Sequence, residues 1–500
     1  MPSENISDGL SFEMLEKIKE LTKDTAIYGI STIIGRFLGF FLIPFYTNVI
    51  NTHDFGIYSN IYAYLAFLNI FFIYGMDAAF MKYASLKENT EKKKTFSTAY
   101  LFITLTTILL TVILYFLKTP FSRLMEIPNE YSKLYYYLIF ILIFDTLALV
   151  PFSNLRLERK SGQFTSIKLS NIILNLALNF ILVLKFKLGI EAIFLANLIA
   201  SAFSFLVLTP EIFKLISIKI DKDLLRKLLK FGIPYLPASL AAMVVQVVDR
   251  PVVLAMTNES TLGIYQANYK LGIFMMLFVS MFQFAWQPFF LNNAKEKNAK
   301  EIFAKVLTLF LLVSSMIWIV LTLFVEDFAR FEFMPGKSII GKEYLSGITI
   351  VPIILLGYLF NGIYYNFQAG IYIEEKTKYF PYVTGAGALV NVGINILLIP
   401  VLGIMGAALA TLASYVVMAA GLYFFSQKYY KIKYEFSKVF KILVTIVITC
   451  IIYYYVYYEV GLTIMYKFIL LICFIGSLFA MRVVEKNEIT RLIKMLLRVK

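Results

Sequence analysis

The chain carries a single histidine, His53, and two cysteines, Cys450 and Cys473. A lone histidine in a short loop excludes a His cluster for metal and a Ser/His nucleophilic pair. Both cysteines lie in apolar stretches, so neither a disulfide framework nor a cysteine metal site is indicated. Charge is scarce as well: 16% of the residues are charged, against 59% hydrophobic, with a mean hydropathy of +0.75. A chain of 500 residues with that balance cannot clothe a water-soluble globule in polar surface. It reads as an all-α polytopic membrane protein.

Residues 1–24 lack the continuous apolar core of a cleavable signal peptide. Leu15, Ile18 and Leu21 at helical spacing suggest an amphipathic helix lying on the membrane surface. Beyond it, a ruler of about twenty apolar residues per crossing places roughly fourteen transmembrane helices. Orientation follows from Lys and Arg: with the N-terminus inside, about 35 of the 47 fall in cytoplasmic segments. Both termini are therefore expected in the cytoplasm, and the net charge of +15 is a topology signal, not a nucleic-acid footprint.

The chain also repeats itself. Phe55-Gly56-Ile57-Tyr58 answers Leu262-Gly263-Ile264-Tyr265, and Leu157-Glu158-Arg159-Lys160 answers Ile373-Glu374-Glu375-Lys376. Asn175 and Asn179 answer Asn391 and Asn395, and Leu188-Gly189-Ile190 answers Leu402-Gly403-Ile404. The matches are collinear at offsets of about 207 to 216, as duplicated halves should be. Two six-helix lobes are expected, residues 26–208 and 231–427, joined by a basic linker, 209–230. An even number of spans gives the lobes the same orientation, related by a pseudo-twofold axis along the membrane normal. A cytoplasmic amphipathic segment (1–25), an added helix pair (428–481) and a basic cytoplasmic tail (482–500) complete the organisation.

Few ionisable groups lie inside spans. A mid-membrane charge costs about 2.5–3.5 kcal/mol on insertion scales, so each should face a partner or a wet cavity. Arg36 is expected roughly 15 Å deep and Lys270 roughly 12 Å; Asp145 lies near mid-span, and Asp249 and Arg250 nearer the outer end. Arg36, Arg250 and Lys270 are candidate substrate-binding cations, and Asp77, Asp145 and Asp249 candidate ion-coupling carboxylates. Structural roles stand beside these: Arg36 could neutralise Asp145, Asp249 and Arg250 could close a helix end, Lys270 could snorkel, and Asp77 could pair with Lys82. Lys467 reads as a residue snorkelling to the outer interface. The paired asparagines read as glue between helices, and Gly385, Gly387, Gly393, Gly403 and Gly406 as close-packing positions. Pro44, Pro151, Pro234, Pro237, Pro251, Pro288 and Pro352 sit in or at the ends of spans, where kinks suit moving helices.

Catalytic residues are not apparent. Gly336-Lys337-Ser338 has the tail of a phosphate-binding loop, but Phe331 stands where that loop needs its first glycine. Without nucleotide hydrolysis, an ion gradient, the membrane potential or the substrate gradient must drive transport.

Residues 33–83, with Pro44, Phe55-Gly56-Ile57-Tyr58 and Gly75, resemble the first two spans of bacterial and archaeal polysaccharide flippases. So do Phe231-Gly232-Ile233-Pro234, Asp249-Arg250, Gly263-Ile264-Tyr265 and residues 391–415. That family belongs to the multidrug, oligosaccharidyl-lipid and polysaccharide exporter superfamily. The resemblance implies a V-shaped cavity between the two lobes, alternating access, and a polyprenyl-pyrophosphate-linked glycan as substrate, moved for surface-polysaccharide synthesis. It also implies the cytoplasmic membrane as location, with membrane lipid and other polysaccharide-assembly proteins as partners, no cofactor, and H⁺ or Na⁺ as coupling ion. Arg36-Phe37-Leu38-Gly39-Phe40 is similar to the arginine motif in span 1 of the lipid II flippases, and Lys270 takes the place of their cavity arginine. Leu42 stands where those proteins carry a second arginine, which counts against lipid II itself. The same likeness gives the last two spans a role in a groove for the lipid tail. A multidrug or cation antiporter of the same fold would favour an acidic cavity and twelve spans; a membrane glycan polymerase or ligase would present a long catalytic outer loop.

Overall fold

The computed structural model describes residues 35, 37–85 and 89–483. It is nearly all helix. Twelve helices among the described residues are long and apolar enough to cross a membrane, and two shorter apolar ones, Phe37–Val49 and Ile464–Ala480, bring the total to the fourteen expected. The chain divides into two compact units, Met1–Gln266 and Ala267–Lys500.

In the first unit the order is α1 (Leu42–Val49), α2 (Thr52–Ile73), α3 (Met76–Ser85), α4 (Asn89–Phe116), α5 (Lys133–Leu157), α6 (Ser161–Phe180) and α7 (Ile190–Leu215). Then come α8 (Lys222–Gly232), α9 (Tyr235–Val247), α10 (Asp249–Met256) and α11 (Glu259–Tyr269), the last running across the division. α2 and α3 are one apolar stretch broken where Tyr74 and Gly75 take positive φ. Close to that break a Cβ on Gly75 would lie 2.5 Å from the Gly232 carbonyl oxygen, so the chains meet backbone to backbone. Phe80, Phe96, Ile103, Val150 and Leu228 form a core that ties α3, α4, α5 and α8 together. In lipid such contact is held by dispersion between close-fitting surfaces, because the tails themselves are as apolar as the side chains.

The second unit contains α12 (Ile273–Asn293), α13 (Ala299–Arg330), α14 (Val351–Ile373), α15 (Tyr379–Leu402), α16 (Ile404–Tyr429), α17 (Phe436–Tyr455) and α18 (Ile464–Ala480). Gly336-Lys337-Ser338 lies in a two-strand hairpin, Glu332–Met334 with Lys337–Ser338, which lacks the strand-loop-helix form of a phosphate-binding loop. α14 is buried on nearly every face, with Pro352 in its first turn. Lys467 departs from the expected snorkelling. It is 4% exposed, and its ammonium reaches back to Asp327 Oδ2 at 2.5 Å, joining α18 to α13. Three of the glycines expected at close contacts, Gly385, Gly393 and Gly403, face open space, whereas Gly387 meets Met418 and Gly406 meets the Leu398 backbone.

The sequence repeat is matched by repeated local geometry. Arg159 and Glu375, at equivalent positions, have φ of 54° and 53°. Gly189 and Gly403, each just before a helix, share φ of 55° and 57° with ψ of −135°. Asn179 Nδ2 donates to Asn175 Oδ1 at 3.0 Å, and Asn395 Nδ2 to Asn391 Oδ1 at 2.8 Å. Matching backbone angles outside the helical region at two paired positions, with the same asparagine hydrogen bond at a third, argue for duplication.

Candidate functional site

Asp249 opens α10 and is 3% exposed. Its Oδ1 accepts from the Arg250 backbone N–H at 3.0 Å, and its Oδ2 takes a close hydrogen bond from the Tyr265 hydroxyl. A buried carboxylate so held ties α10 to α11. Arg250 beside it is half-buried, and its Nε meets no acceptor among the described residues. The neighbouring Asp249 charge offsets the guanidinium while leaving Nε a donor without a protein partner.

A line of polar and aromatic groups runs from Arg250 through the first unit. Tyr58 on α2 lies within electrostatic reach of Arg250. One helical turn on, Tyr62 packs against Tyr58 with ring centroids 4.7 Å apart, and both rings border Phe194 of α7 at 6.1 and 5.0 Å. Asn197 Nδ2 donates to the Tyr62 hydroxyl at 2.9 Å. Asp145 of α5 is the next charge along, close to the Ser201 hydroxyl and within electrostatic reach of Lys168 of α6. Lys168 Nζ also stands 4.2 Å from the Phe152 ring centroid, a cation–π contact. Phe194, Asn197 and Ser201 follow at i, i+3 and i+7, so one face of α7 backs the whole line.

Asp145 and Lys168 both keep surface that no protein atom covers while lying within apolar helices, and Tyr58, Tyr62 and Arg250 are half-buried. Ionised side chains in such helices are retained where water or a polar ligand reaches them. The line therefore offers a guanidinium, an ammonium, aromatic faces and hydroxyls in series, with one carboxylate among them. Anions, and the polar hydroxyls and apolar ring faces of sugars, are what such a surface can hold.

The other sequence candidates are placed as follows. Asp77 stands in the first turn of α3, where a carboxylate complements the helix dipole. Lys82 turns to the Phe231 ring, 3.9 Å from its centroid. Lys270 belongs to the second unit, half-buried at a 3₁₀ turn, Lys270–Gly272, that follows α11. Arg36 lies outside the described residues. Tyr62 and Lys168 were not singled out from sequence, and Tyr58 only as part of the repeated Phe55-Gly56-Ile57-Tyr58 motif. The signal available for them was the i, i+4 tyrosine pair on α2 opposite the polar stripe on α7.

The fold is one shared with membrane proteins of known structure. It is similar to that of a lipid II flippase, MurJ, in its inward closed conformation, with a TM-score of 0.71 at 19% identity, covering 91% of this chain and 98% of that one. It is also similar to an inward-facing multidrug resistance MATE family transporter of the MOP superfamily, with a TM-score of 0.60 at 12% identity, covering 79% and 97%. An uncharacterized membrane protein of Haemophilus influenzae is 23% identical over 398 residues, 74% of this chain and 94% of its own. Residues 21–294 match the family described as polysaccharide biosynthesis protein, and the chain belongs to that family. It is a multi-pass membrane protein with a flippase-like fold.

Proposed function

We propose that the protein translocates a polyprenyl-pyrophosphate-linked oligosaccharide across the cytoplasmic membrane for cell-surface polysaccharide synthesis. The observation that carries this reading is the line Arg250–Tyr58–Tyr62–Asp145–Lys168 within apolar helices. A glycan pyrophosphate cannot enter hydrocarbon unaided, whereas its polyprenyl tail is at home there. A polar path bordered by membrane answers both halves of the molecule. Arg250 supplies a donor for pyrophosphate oxygens, Lys168 a second cation, and Tyr58 and Tyr62 faces on which sugar rings can lie. Arg36 and Lys270 are further cations assigned to the same substrate.

In this reading the lobes 26–208 and 231–427 alternate access, both termini are cytoplasmic, and the protein is a transporter without catalytic residues. H⁺ or Na⁺ coupling falls to Asp145, because Asp249 is buried and already committed to Tyr265 and the Arg250 backbone. A multidrug or cation antiporter would need a net acidic path; here two cations flank one open carboxylate, which disfavours it. A null mutant tests the proposal: lipid-linked oligosaccharide should accumulate on the inner face and surface polysaccharide should vanish, with both restored by the gene. Normal surface polysaccharide together with loss of drug efflux would favour the antiporter.

A further inference from the structure

α8 carries two parallel rows that the transport reading does not use. Lys222, Arg226 and Lys230 recur every four residues and are all exposed. Leu225, Leu229 and Ile233 recur beside them, and with Pro234 the two rows line an open groove of about 860 Å³. The opposite face is committed: Leu228 is fully buried in the core with Phe80 and Phe96, Leu224 packs on the same cluster, and Leu229, between the two faces, touches that cluster while also lining the groove. The start of the helix is fixed too. Asp221 caps it, accepting from the Leu224 N–H at 2.8 Å, and also pairs with Lys94. These two donors hold its carboxyl below the usual range, and the charge so kept is already paired with Lys94. No carboxylate among the described residues forms an ion pair with Lys222, Arg226 or Lys230.

A soluble phosphate would use the cations and leave the apolar row idle. A neutral lipid would do the reverse. One ligand chemistry uses both: an anionic head on an acyl chain. The apolar row continues past the end of α8 through exposed Ile233 toward the apolar helix α9, which gives the chain a direction. We infer that this groove binds an anionic phospholipid, with its phosphate on Lys222, Arg226 and Lys230 and its acyl chain along Leu225, Leu229 and Ile233. The site is independent of what the protein transports. Because Gly232, at the end of α8, abuts Gly75, a lipid seated there bears on the α2–α3 break as well.

Basic residues at a membrane surface each contribute about 1 kcal/mol toward anionic lipid, which is about fivefold in affinity. The test titrates full-length protein in neutral detergent with phosphatidylglycerol and, in parallel, with phosphatidylcholine of the same chains, counting bound lipid by native mass spectrometry. Saturable binding of phosphatidylglycerol is expected, weakened about fivefold by any one of Lys222→Gln, Arg226→Gln or Lys230→Gln and about a hundredfold by all three. Ile233→Asn should weaken it too, while Lys227→Gln, on the same helix but off the groove, should not. Equal binding of both lipids, or full binding by the triple variant, overturns the assignment. Displacement of phosphatidylglycerol by inorganic pyrophosphate at matched concentration also overturns it, since the groove would then read free phosphate and not lipid.

Discussion

Gly56 and Gly263 bring the first turns of α2 and α11 into backbone contact. A Cβ on Gly56 would lie 1.8 Å from the Glu259 carbonyl oxygen, and one on Gly263 would lie 2.0 Å from that of Thr52. The contact is reciprocal: Thr52 and Glu259 each begin their helix, and each glycine follows four residues later. Positions that answer each other in the sequence repeat thus meet within the first unit.

Neither position has room for alanine, so the helix ends must part. Gly56→Ala or Gly263→Ala should cost about 1–3 kcal/mol, the range for overpacking. Thermal unfolding in detergent should show a lower midpoint for both, and none for Gly162→Ala, where the space around the glycine is open. An unchanged midpoint in Gly56→Ala would mean that this contact is not kept in the membrane protein.

The Lys467–Asp327 pair predicts an asymmetric result. Lys467 is buried while the Asp327 side chain is 54% exposed. Asp327→Ala strands a buried ammonium and should be the more damaging change, about 1–3 kcal/mol after allowance for solvent at the aspartate. Lys467→Met leaves only a hydrated carboxylate and should cost less. Combining the two should recover much of the loss, which a double-mutant cycle on thermal midpoints would read.

Asp145 and Lys168 predict a functional coupling. Lys168→Ala should lower export of lipid-linked glycan roughly tenfold or more at matched protein level, the worth of one charge-assisted hydrogen bond. Lys168→Arg should retain most of it. If Lys168 merely neutralises Asp145, Lys168→Ala with Asp145→Ala should restore binding of lipid-linked glycan to the purified protein, a readout that does not depend on ion coupling; if Lys168 contacts substrate, binding by the pair should stay defective.

Topology is open to direct assay. Single cysteines at Thr52, Asn258 and Lys337 should react with a membrane-impermeant thiol reagent in intact cells, whereas cysteines at Lys93, Lys222 and Lys431 should react only after permeabilisation. The reverse pattern would invert the orientation read from Lys and Arg.

Much of the fold was legible because lipid demands long apolar helices, and hydropathy records them directly. The repeat was legible at positions where backbone geometry restricts the residue: Gly189 and Gly403 hold positive φ, which glycine tolerates best. Lys467 was misread because its partner lies 140 residues away in sequence, and a lysine near a helix end looks the same whether it snorkels or pairs inward. Lys168 and Tyr62 escaped notice, and Tyr58 was read only for its place in the repeat, for a related reason. Among 34 tyrosines and 47 basic residues, nothing local distinguishes the few that tertiary packing sets around Asp145. The charges inside spans could be listed from the sequence; their neighbours could not.

The most direct measurement uses proteoliposomes loaded on one leaflet with polyprenyl-pyrophosphate-linked oligosaccharide, probed by an impermeant glycosidase on the other side. The purified protein should render the glycan accessible within the assay. Arg250→Ala together with Lys168→Ala should leave it protected, with protein incorporation unchanged. Equal accessibility with wild-type protein, the double variant and empty liposomes would contradict the assignment of a lipid-linked glycan to the Arg250–Lys168 line.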